Sequence, residues 1–96
     1  MKIVINDCYG GFGLSKEAYD FMGIECERFT SLVYYSKTYE PSRDDPKLVE
    51  CDETLGKRAS GTFANLKVVE IPDGIEWEIE DYDGMETVVE KHRRWR

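Results

Sequence analysis

The chain has 96 residues, a length one domain fills, and 41% hydrophobic with 12% aromatic content supports a modest core and argues against a disordered tail. Thirteen Lys and Arg against twenty Asp and Glu leave a net charge of −7, which argues against the electrostatic footprint that phosphate-backbone binding needs. No apolar run approaches the roughly 20 residues that span a bilayer, and the start, Met1-Lys2-Ile3-Val4-Ile5-Asn6-Asp7, lacks the apolar length of a secretory signal; a soluble cytoplasmic chain is expected. Cys8, Cys26 and Cys51 are odd in number and have no Cys-x-x-Cys spacing. They read as small, reduced residues rather than as a disulfide framework or a zinc knuckle.

In chain order, residues 2–8 open with β-branched residues and predict a strand. Gly10, Gly11 and Gly13 then free the backbone for positive φ or for close approach. Ser15 is the expected N-cap of a helix over 16–22 with Ala18, Phe21 and Met22 on one face, and Gly23 supplies its left-handed stop. The aromatic and β-branched stretch 25–39 predicts a strand with an irregular continuation. Asp45 caps a second helix over 46–55, where Pro46 at the first position loses no needed donor; Leu48, Val49, Cys51 and Leu55 form its buried stripe and Gly56 ends it. Ser60-Gly61 predicts a turn.

A strand over 66–71 closes at Pro72-Asp73-Gly74. Ile75, Trp77 and Ile79 alternate with Glu76, Glu78 and Glu80, the two-residue period of a half-buried strand. Asp83-Gly84 is the pair that two-residue hairpins prefer, so 85–91 should return antiparallel with Val88 or Val89 inward; a helix over 86–94 is the competing reading. The order predicts a compact single-domain α+β fold over 1–96: a mixed or antiparallel sheet of about four or five strands, two helices on one face and a C-terminal β-meander.

Five constellations bear on function. The glycine-rich segment Asn6-Asp7-Cys8-Tyr9-Gly10-Gly11-Phe12-Gly13 offers backbone donors beside a helix start, where an anion is favoured, but lacks P-loop and dinucleotide spacing; a sharp turn with Phe12 tucked inward is the simpler explanation. Cys8 beside Asp7 is a weak nucleophile candidate because the one histidine, His92, lies at the far end of the chain. Arg43 before Asp44 and Asp45 is placed to clamp a phosphate or carboxylate, or to pair with its neighbours. From Glu70 to Glu90 there are nine acids and no base, a negative face suited to a basic partner or to plain solvation. No calcium-loop pattern is present, and no cofactor or metal is expected. Lys91-His92-Arg93-Arg94-Trp95-Arg96 sets four cations and one indole directly after those acids. It suits an anionic aromatic ligand or simple charge balance.

The segments Asn6-Asp7-Cys8-Tyr9-Gly10-Gly11-Phe12, Asp45-Pro46-Lys47-Leu48-Val49-Glu50, Asn65-Leu66-Lys67-Val68-Val69-Glu70-Ile71-Pro72-Asp73 and Trp77-Glu78-Ile79-Glu80-Asp81-Tyr82-Asp83-Gly84, with Glu90-Lys91-His92-Arg93, resemble a small family of bacteriophage and prophage proteins along nearly the whole chain. The resemblance implies a setting and no catalytic residue. Short phage accessory proteins act mostly by binding, blocking a host enzyme or sequestering a nucleotide-derived immune signal in the host cytoplasm.

Residues and resemblance together lead to three expectations. The first is a non-catalytic binder of a small anionic nucleotide-like ligand, using Asn6, Tyr9, Gly10, Gly11, Phe12, Arg43, Tyr82, His92, Arg93, Arg94 and Trp95 in one cleft, within one chain or between subunits of a homo-oligomer. The second is an acidic inhibitor of a basic host protein that normally meets nucleic acid. The third is a small metal-assisted hydrolase using Asp7 or clustered carboxylates.

Overall fold

The computed structural model describes residues 1–29, 33–40 and 42–91. Its first strand, β1 (Lys2–Asn6), stops two residues before the predicted end, because Asn6 turns its side chain into local bonds with the Cys8 carbonyl and the Asn65 N–H. The first helix, α1 (Lys16–Met22), has the expected caps: Ser15 Oγ accepts from the Ala18 N–H, and Gly23 takes φ 71°. Its buried face is shifted from the predicted one. Ala18 and Tyr19 are buried and Met22 packs on the core, whereas Phe21 is exposed.

The predicted single strand in 25–39 is instead a minimal hairpin, β2 (Glu27–Arg28) against β3 (Tyr34–Tyr35), with Arg28 opposite Tyr34. The second helix, α2 (Pro46–Leu55), follows the sequence signals closely: Asp45 Oδ1 accepts from the Lys47 N–H, Pro46 holds the first turn, and Leu48, Val49 and Cys51 are buried. A 3-10 turn, Gly56–Ala59, then carries the chain to Ser60. Ser60 pairs with Leu14 as an isolated bridge, so the predicted turn falls one to three residues later. The remaining strands are β4 (Leu66–Glu70), β5 (Trp77–Tyr82) and β6 (Met85–Glu90), the last as predicted and not a helix.

The fold is a small α+β domain, but the strands do not form one sheet. Among the described residues they make three antiparallel pairs: β1 with β4, β2 with β3 and β5 with β6. The expected three-strand meander is therefore corrected. β4 closes on β1 with Ile3 opposite Val69 and Ile5 opposite Lys67, so the turn at Pro72-Asp73-Gly74 leads out of one pair into another. Burial explains the choice: β1 is buried on both faces and needs β4 for its ladder, whereas β5 carries charge at every second position and tolerates water. Val4, Leu14, Ala18, Tyr19, Leu48, Cys51 and Leu66 form the core between the β1–β4 pair and the helices. No apolar residue of β5 or β6 belongs to it.

One buried group is at odds with this core. Asp52 on α2 is 7% exposed and its Oδ1 has no hydrogen-bond partner among the described residues. Burial, and secondarily the Glu53 charge, pushes its carboxyl above the usual range. The penalty for ionising it is absent below the unfolded-state pKa and grows as pH rises through the raised folded value. Asp52→Asn should therefore raise the melting temperature at neutral pH and lose that advantage near about pH 4. Melts at both pH values check this; an equal gain at both contradicts it.

Candidate functional site

The open edge of β1 faces away from β4, and two residues from elsewhere close it. The Val4 N–H donates to the Arg43 carbonyl at 2.8 Å, and the Asn6 N–H donates to Glu86 Oε1 at 2.8 Å. Arg43 then completes the arrangement. Its Nη2 donates to Glu86 Oε2 at 2.7 Å, its Nη1 to Glu86 Oε1, and its guanidinium carbon lies 3.7 Å from the Phe12 ring centroid. The Glu86 side chain is 5% exposed and that of Arg43 20%. A bidentate carboxylate, a guanidinium and an aromatic face thus form one shielded stack, in which each charge is paired and hydrogen-bonded as burial requires.

Asn6 binds this stack to the rest. Fully buried, it donates from Nδ2 to the Cys8 and Gly84 carbonyls, both at 2.7 Å, and accepts at Oδ1 from the Asn65 N–H at 2.8 Å. One amide therefore ties the glycine-rich loop, the strand β4 entry and the tip of the β5–β6 hairpin together. The Cys8 thiol donates to the Phe63 carbonyl at 3.2 Å and to Asn6 Oδ1 at 3.4 Å, a structural placement, and Asp7 pairs with Lys67 at 3.6 Å.

The glycines are explained by contact between backbones. A Cβ on Gly10 would sit 1.7 Å from the Phe63 carbonyl oxygen, and one on Gly84 would sit 2.5 Å from the Gly11 nitrogen and 2.7 Å from the Tyr9 oxygen. Gly84 also needs φ 92° as the second residue of the hairpin turn, with Asp83 at φ 51°. Three chain segments, 9–11, 62–63 and 83–84, approach more closely than side chains permit. On the far side of the loop lies a cleft of about 360 Å³, lined by 10–16 on one wall, 60–64 on the other, and Val33 and Tyr34.

No family model, no curated protein and no solved structure matches the chain. Function must be read from the geometry.

The predicted site residues divide into groups. Gly10, Gly11 and Phe12 line the cleft. Arg43 meets Phe12 but directs its guanidinium to Glu86, so the carboxylate it clamps is the protein's own. Asn6 is the buried tie. Tyr9 and Tyr82 meet edge-on outside, with ring centroids 6.5 Å apart and exposures of 64% and 73%. His92, Arg93, Arg94 and Trp95 lie outside the described residues.

Sequence reasoning missed Glu86, Gly84 and Phe63 as members of this junction. A signal existed for Glu86: on β6 it shares a face with Val88, opposite Asp81 and Ile79 respectively.

Beyond the junction the hairpin is acidic on both faces: Glu78 and Glu80 share one face of β5 with Tyr82, whereas Asp81 and Glu90 lie on the Glu86 face, where Asp81 Oδ1 accepts from the Gly84 N–H at 2.8 Å. Glu76, Glu78, Glu80, Asp81, Asp83 and Glu90 are all exposed, and no ion pair among the described residues involves any of them. Glu78, Glu80 and Tyr82 point to one face, spaced by roughly 7 Å along β5. No group of three or more His, Cys, Asp or Glu is placed to hold a metal ion among the described residues. Cys51, fully buried, has its thiol pushed up to about 11 by that burial, which keeps it unreactive.

Proposed function

We propose that this chain is a non-catalytic binding protein of the phage-accessory kind, which presents its acidic β5–β6 hairpin to a basic surface of a host protein. The observation that carries the reading is the set of exposed carboxylates, none of them in an ion pair among the described residues, on a hairpin tied to the body by the Arg43–Glu86 stack. A single-sign face steers association and rejects phosphate-rich partners. Arg43, one of the cations expected to meet a nucleotide-like anion, is already paired with Glu86.

The test is capture from bacterial lysate at low and high salt, followed by reconstitution with the identified partner in purified form. A variant with Glu78, Glu80, Asp81 and Asp83 replaced by their amides serves as the comparison. Expected is a basic partner whose affinity falls steeply with salt and is lost in the amide variant. Salt-insensitive binding, or binding kept by that variant, contradicts the reading.

The cleft of about 360 Å³ supports a second reading, sequestration of a small ligand against Gly10, Gly11 and Phe12. A thermal-shift panel of linear and cyclic nucleotides tests it, because a ligand that binds only the native state raises the melting temperature. No shift across the panel removes it.

A further inference from the structure

The geometry points to an arginine side chain, carried on an extended segment of the partner protein, as the group received by the exposed Tyr9–Tyr82 pair. This inference rests on the hairpin being the working face and names the chemistry of what docks there. Large aromatic rings left in water at one spot mark a contact surface, and here Tyr9, Tyr82 and Phe63 are 64%, 73% and 57% exposed around a single backbone junction.

Carboxylates adjoin the patch. Glu80 and Glu78 continue the Tyr82 face along β5 and Asp83 follows Tyr82 in the turn, whereas Asp81 lies on the other face and holds the Gly84 N–H. Aromatic faces surrounded by anions complement a cation with a flat, weakly hydrated surface, which guanidinium is and ammonium is not. The protein's own interior shows the same set completed: Phe12, the Arg43 guanidinium and the Glu86 carboxylate stack together. At the hairpin tip the ring and the carboxylates are present and the guanidinium is not supplied by any described residue. An extended partner segment fits because its alternate side chains repeat at the roughly 7 Å spacing of Glu78, Glu80 and Tyr82.

The full chain is titrated at low salt with a short peptide alternating Arg with Ser, and with the matching Lys peptide. Tyr82→Leu, at a side chain that is mostly in water, is checked for an unchanged melt and titrated in parallel. The Arg peptide should bind roughly tenfold more tightly than the Lys peptide, and Tyr82→Leu should erase that preference. Equal affinities, or a preference that survives Tyr82→Leu, overturn the inference while leaving the acidic face intact. Binding of neither peptide overturns the inference and counts against the acidic face as well. A dimer of the free protein that Tyr82→Leu dissociates assigns the patch to a second copy and overturns the inference too.

Discussion

Glu86→Ala should remove about 3–5 kcal/mol of folding free energy, the range for breaking one side of a buried ion pair. The substitution leaves the Arg43 guanidinium shielded on Phe12 with no counter-charge and takes the acceptor from the Asn6 N–H, so an unpaired charge and an unpaired donor are created together. For a domain of this size that is a large share of total stability. Urea unfolding measures it. The double variant Arg43→Met with Glu86→Met should recover the share of the loss that comes from the unpaired guanidinium, because an apolar pair of similar volume carries no desolvation penalty, while the Asn6 N–H stays without its acceptor in both variants. A double variant as unstable as Glu86→Ala would show that the pair matters through shape and not through charge.

The second large effect is at Gly84. Gly84→Ala should cost about 3 kcal/mol or more, since it combines a strained positive φ with a Cβ driven into the Tyr9–Gly11 backbone. Gly11→Ala is the control. Gly11 also has positive φ, at 89°, but a Cβ there meets nothing within 4 Å, so only the strain of about 1–2 kcal/mol remains. A smaller loss at Gly84 than at Gly11 would mean that the hairpin tip is not seated on the loop.

Local signals made much of this fold legible. Ser15 with Gly23, Asp45-Pro46 with Gly56, and Asp83-Gly84 each act within a few residues, and the two helices and the C-terminal hairpin follow from them directly. What was not legible is non-local. The pairing of β1 with β4 spans more than sixty residues and competes with the nearer β4–β5 pairing; burial of Ile3 and Ile5 on one face and Val4 on the other decides it, and periodicity alone does not. Phe21 and Tyr19 exchanged roles because the helix turns its Tyr19 side toward Val49 and Leu48, a packing fact no seven-residue pattern contains.

The candidate site shows the same division. The sequence marks Gly10, Gly11, Arg43 and Tyr82 as unusual, and all four take part in or adjoin the junction. Their purpose was not readable, because glycines that receive a ligand and glycines that receive another backbone have the same sequence. The same holds for Arg43: its counter-ion sits 43 positions away on a strand that otherwise reads as solvated.

Glu86 fills the interior anion position, and the proposed working face lies outside, on the hairpin. Amide chemical-shift mapping tests it most directly, with ¹⁵N-labelled protein titrated separately with the Arg-containing peptide and with a cyclic dinucleotide. Peptide-induced shifts are expected to be confined to Glu78, Glu80, Tyr82, Asp83 and Tyr9, with no saturable nucleotide response. Saturable nucleotide shifts at Gly10, Gly11, Phe12 and Arg43, with the hairpin silent to the peptide, would contradict it.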